Sequence, residues 1–121
     1  MTPRQIADKY PAQWQIHGQV LCLYLHDLSK IGSDPVTLTV YTHPYLATEI
    51  GYRGVVVGSR KMSEDIVSDI GDHIAHMIAF HPGAVDLYKI PDWAKESTGK
   101  ALEAHRERIK DVQTHLEWSK K

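Results

Sequence analysis

Between Asp69 and Pro82 the chain reads DIGDHIAHMIAFHP, which puts three of its eight histidines beside two aspartates. Imidazole and carboxylate groups bind first-row divalent ions and move protons near neutral pH. On a helix at 100° per residue, Ile66, Ile70, Ile74, Met77 and Ile78 span an arc of roughly 120°, which is a core-facing stripe. His81 falls within that arc and His73 at its edge, while Asp65, Asp69, Asp72 and His76 form a strip on one flank. His73 and His76, together with Asp69 or Asp72, could share a divalent ion such as zinc. A further ligand would have to come from elsewhere, with His17, His26 and His43 as candidates. The spacing is not HExxH, so the metalloprotease signature is absent. The simpler reading is structural. Asp69 precedes His73 by four residues and Asp72 precedes His76 by four, a pairing that supports a helix by roughly 0.2–0.5 kcal/mol.

Three other stretches carry reactive or charged groups. Cys22 is a potential thiolate nucleophile, but in VLCLYL (Val20 to Leu25) a small buried hydrophobe is expected. GYRGVVVGSRKMS (Gly51 to Ser63) offers Arg53, Arg60 and Lys61 before a helix start, the ingredients of a weak anion site. Glu64 and Asp65 already occupy the positive end of that helix and oppose an anion. ESTGKA imitates the tail of a phosphate-binding loop, yet that motif needs glycine at Ala94 and Ser or Thr at Ala101. No serine-hydrolase elbow is present. No catalytic set is assigned.

These residues must be positioned by elements that the pattern supplies. Thr2, Pro3 and Gln5 form a capped start to a short helix that Pro11 ends. Trp14 to His26 reads as one strand, with Leu21, Leu23 and Leu25 on one face and Cys22 and Tyr24 on the other. VTLTVY (Val36 to Tyr41) alternates cleanly, YLATEI is ambiguous, and VVVGS (Val55 to Ser59) is a short β-branched strand. Ser63 is expected to cap the central helix, with Glu64 and Asp65 in its first turn. AVDLYKI (Ala84 to Ile90) is expected to be another strand. A last helix starts near Trp93, with Gly99 as the place for a break. Its stripe of Leu102, His105, Ile109, Val112 and Leu116 recurs at alternating intervals of three and four. This narrow seam, with Trp118, suits covering the sheet or pairing with a second copy. The expectation is one compact α+β domain over 1–121. A small antiparallel sheet of about three to four strands would be covered on one face by two main helices, with a short N-terminal helix.

Composition narrows the function. The chain has 121 residues, 42% of them hydrophobic and 24% charged, enough for a core without staples. One cysteine allows no intramolecular disulfide. No apolar leader or membrane-length run is present, so a cytoplasmic protein without membrane contact is expected. Fourteen basic and fifteen acidic residues give a net charge of −1, and nucleic acid is not the expected partner. Eight added protons would take that charge to +7, so association should change between pH 7 and pH 5.5. The leading expectation is a non-enzymatic protein-binding module without cofactor: an inhibitor or adaptor, of the kind that includes phage antagonists of host systems, self-associating as a dimer. The alternatives are a small metal-dependent hydrolase using the Asp/His strip, and a small anion- or nucleotide-binding domain.

Overall fold

The computed structural model describes residues 2–27, 29, 35–61 and 65–119, and for 109–119 only the course of a helix. Helix α1 (Pro3–Lys9) begins with the expected capping box: Thr2 Oγ1 accepts from the Gln5 N–H, and the Gln5 side chain accepts from the Thr2 N–H. Five strands follow: β1 (Gln15–His17), β2 (Val20–Tyr24), β3 (Val36–Tyr41), β4 (Ala47–Tyr52) and β5 (Val55–Lys61). Each pairs antiparallel with the next, so the sheet order is the sequence order. Helices α2 (Ile66–Phe80) and α3 (Asp92–Ser119) complete the chain.

The α+β class holds, with five strands rather than three or four. The segment Trp14 to His26 supplies two of them. Gly18 adopts φ +62°, which is open to glycine without a Cβ penalty, and turns β1 back onto β2. YLATEI resolves as β4. The expected strand over Ala84 to Ile90 does not form. There the chain makes a single 3-10 turn (Leu87–Lys89), because Asp86 is tied to the end of β2. The Asp86 N–H donates to the Leu25 carbonyl at 2.9 Å, and the Asp86 carboxylate accepts from the Asp27 N–H. Asp27 in turn accepts from the Ser29 hydroxyl and N–H and the Tyr88 hydroxyl, which hold its carboxyl well below the usual carboxylate range.

Alternation places Leu21, Leu23, Val36, Leu38, Val40 and Ile50 on one face of the sheet, all buried. Ile6 from α1 and Ile66, Ile70, Ile74 and Met77 from α2 complete this core. Each such side chain contributes about 1.5–3 kcal/mol by leaving water. His26 closes one end, its Nδ1 accepting from the Val36 N–H at 3.0 Å. The opposite face, with Cys22, Thr39 and Tyr41, is only half-buried.

Asp65, not a residue of the first turn, is the cap of α2, accepting from the Ser68 N–H at 3.1 Å. Ser63 and Glu64 lie outside the described residues. Helix α3 runs without a break at Gly99 and packs mainly on α2. Ser97 Oγ donates to the Val67 carbonyl at 3.0 Å, and farther along Phe80 meets His105. The two helices therefore run in the same direction. They pack tightly at Gly71, where an added Cβ would stand 2.4–2.7 Å from Ser97. Trp93 at the start of α3 packs against Tyr10 and Trp14 and donates to the Pro11 carbonyl, clamping α1. Two of the three tryptophans thus serve the interior. Among the described residues no helix is long and apolar enough to cross a membrane.

Candidate functional site

Strand β5 starts from a tight turn in which Arg53 (φ 57°) and Gly54 (φ 79°) are both left-handed. A register shift opposite Ile50 and Gly51 then bulges the strand. Val55 and Val56 are left 63% and 54% exposed, high values for β-branched residues in a sheet. Among the described residues β5 pairs with β4 alone, so its other edge presents backbone donors and acceptors with no strand beside them there. Gly58 lets the strand pass over α2: a Cβ there would stand 3.2 Å from His73 Nδ1 and 3.4 Å from Ile50 Cγ2.

Beneath β5 the helical layer supplies imidazoles and a carboxylate. His73 is buried, its Nε2 3.0 Å from Thr48 Oγ1 on β4. Burial holds its pKa below the ordinary value. Asp72 is held from two sides. Its Oδ2 accepts from Arg60 on β5, and its Oδ1 lies 3.2 Å from His105 Nε2 on α3. One turn on, His76 packs against Phe80 at 4.7 Å between ring centroids, with His105 at 5.9 Å and His81 at 6.5 Å. Burial, then the neighbouring His105 and His81, push its pKa down. Its ring nitrogens have no hydrogen-bond partner among the described residues. Arg60, Asp72, His73, His76 and His105 line a recess of about 160 Å³ along β5, together with Ile50 and Val57. A wider cleft of about 590 Å³ continues past Arg60 and Asp72, between α2 and the start of α3.

The expected sites are regrouped by this geometry. Of the Asp69, Asp72, His73 and His76 strip, His73 turns inward to Thr48, Asp72 is taken by Arg60 and His105, and Asp69 lines the wider cleft. His26 is committed to Val36, and His17 and His43 are exposed. Among the described residues no group of three or more His, Cys, Asp or Glu side chains is placed to hold a metal ion. Of the anion set, Arg53 and Arg60 lie at opposite ends of β5, roughly 20 Å apart by strand geometry. Arg60 is engaged with Asp72, and Lys61 is exposed. Of the α3 seam, Leu102 is half-buried and His105 buried against α2. The side chains of Ile109, Val112, Leu116 and Trp118 lie outside the described residues.

Sequence reasoning missed Thr48, Gly58 and the pairing of His105 with Asp72. A glycine inside a β-branched run was the one available signal, since it marks a close approach of another group. No protein-family model, curated protein or solved structure matches the chain.

Proposed function

We propose that this protein is a non-enzymatic binding module that takes an extended segment of a partner protein as an added strand along β5. The observation that carries this reading is the edge of β5 itself: a seven-residue strand that, among the described residues, is paired on one side only, with Val55 and Val56 largely exposed. Strand addition draws affinity from main-chain hydrogen bonds and specificity from pockets that receive alternate side chains. Both elements are present side by side. The recess between β5 and the α2–α3 layer receives inward-pointing side chains, and the opposite sheet face borders the outward ones. A module that captures a segment in this way acts as an inhibitor or adaptor.

The occupant is a partner segment rather than a second copy of β5. From Val55 to Lys61 the strand carries Arg60 and Lys61 and no acid, so a second copy of the strand would bring no carboxylate to these two basic groups. A random peptide library selected against the purified protein, with binders mapped by amide NMR, tests this. Shifts should concentrate in Val55–Lys61 and along α2 near His76. Proline substitutions along β5 should reduce binding at those positions whose N–H faces the free edge and leave the fold intact. Binders that map only to α3, or that ignore every proline in β5, would overturn the reading.

A further inference from the structure

The recess under β5 has an unusual balance of charge. Asp72 is compensated by Arg60 and faces His105. Arg60 is bonded to Asp72 through one of its nitrogens, and the guanidinium is half-exposed, with further N–H groups to offer. His76 lines the recess, and among the described residues neither of its ring nitrogens has a hydrogen-bond partner. The charged and titratable groups that share its surroundings come from every adjoining element. They are Arg60 from β5, His105 from α3, His81 from the end of α2, and Asp72 and buried His73 from α2 itself. A cationic side chain entering here would meet Arg60 and the imidazole cluster, and the nearest acid is already bonded. An anionic side chain would meet donors, with Lys61 close by on the same strand.

Building on the strand-addition reading, we propose that the segment bound along β5 delivers a carboxylate into this recess, where Arg60 and a protonated His76 hold it. The proton comes from solvent and resides on the His76 imidazole in the complex. No covalent bond changes. The carboxylate supplies the negative charge that makes a second cation beside His105 and His81 tolerable, so binding and protonation favour each other. A carboxylate can come from an Asp or Glu side chain or from a free peptide C-terminus, and the recess is chemically suited to either.

The test uses three designed peptides on the full chain. The first is acetyl-Ser-Thr-Val-Glu-Val-Thr-Ser-amide. The second has Gln in place of Glu, and the third has Gln with a free C-terminal carboxylate. Binding is followed by amide NMR at pH 8, 7 and 6. The Glu peptide should bind roughly tenfold more tightly at pH 6 than at pH 8, the change that one proton linked over about one pH unit gives. The amidated Gln peptide should show no such change. A pH-dependent response from the third peptide assigns the carboxylate to a chain end, and its absence assigns it to the side chain. His76→Gln should abolish the pH dependence. If the Glu and amidated Gln peptides bind alike at every pH, or if His105→Gln rather than His76→Gln removes the dependence, the inference falls while strand addition stands. If no peptide shifts the β5 amides, strand addition falls with it.

Discussion

Replacing Gly71 by alanine adds one methyl group in the middle of α2, and the same change at Gly99 adds one in α3. In a helix interior this change gains about 0.5–1 kcal/mol from lost unfolded-state freedom. At Gly99 an added Cβ meets nothing within 4 Å, so the full gain should appear. At Gly71 it would lie 2.4 Å from Ser97 Oγ and 2.7 Å from both Ser97 Cβ and the Ser97 carbonyl carbon. The hydroxyl can rotate away; the backbone carbon cannot. Ordinary contact requires roughly 3.5–4.0 Å, so α3 must retreat by about 1 Å. Overpacking of this kind costs about 1–3 kcal/mol, which offsets the helix gain and leaves Gly71→Ala up to about 2.5 kcal/mol less stable than the parent. The two variants share the helix gain and should therefore differ by the overpacking cost, about 1–3 kcal/mol, or on the order of 1 M in urea midpoint for a domain of this size. Trp93 and Trp14 at the α1–α3 contact report unfolding by fluorescence. Equal upward shifts for both variants would refute the packing of α3 on α2 at Gly71. A Gly71→Ala, Ser97→Ala double variant should recover only part of the loss, because the carbonyl carbon remains.

Other consequences can be measured the same way. His26→Ala leaves the buried Val36 N–H without its acceptor and should cost about 1–3 kcal/mol in urea unfolding. Thr48→Val removes the hydroxyl from buried His73 and should cost a similar amount, about 1–3 kcal/mol, at pH 7.5. His73 and His76 both titrate below the ordinary 6.5 when folded, so the unfolded chain binds more protons under mild acid. Stability should be level above about pH 7 and fall as pH drops below 6.5, and His76→Gln should flatten that slope. Asp27 has the carboxylate pattern. The stability it confers is present above its ordinary 3.8 and lost only as pH falls below that value, so urea midpoints of Asp27→Asn and parent should converge in strong acid. Asp72→Asn weakens a partly exposed pair with Arg60 and should cost at most about 1 kcal/mol, less in high salt.

Periodicity made the buried faces legible. Val36, Leu38 and Val40 on β3, Leu21 and Leu23 on β2 and the Ile66–Ile70–Ile74–Met77 arc all face the core as their spacing implies. The N-terminal cap was legible because its signals are contiguous. Where apolar character ran through a turn it misled. Alternation continues across Gly18 and Gln19, so two short strands read as one. Ala84 to Ile90 reads as a strand because it is apolar, yet Leu87 and Tyr88 end largely exposed once Asp86 is bonded to Leu25 and Asp27. The site was legible only in its ingredients. Asp72 and His76 share a flank as their spacing requires, but the groups that decide their chemistry arrive from β5 and α3. Arg60 and His105 are remote in sequence, and no periodicity links them to α2.

The meander order of the sheet has a temporal side. Every strand pairs with its immediate predecessor, so each hairpin can close within about 1–10 μs of becoming available. Synthesis proceeds at only about 5–20 residues per second, and the stretch from Lys61 to Phe80 takes on the order of seconds to appear. For that interval the five strands can pair while α2 is still missing, leaving Leu21, Val36, Leu38, Val40 and Ile50 without the helix that covers them in the finished fold. A nascent sheet in that condition invites pairing with its neighbours on the same message. Arg60 and Lys61, the last residues of the exposed edge to be made, place like charges where two such nascent chains would meet. The residues proposed to select a partner in the finished protein would, earlier in its life, keep copies of the chain apart.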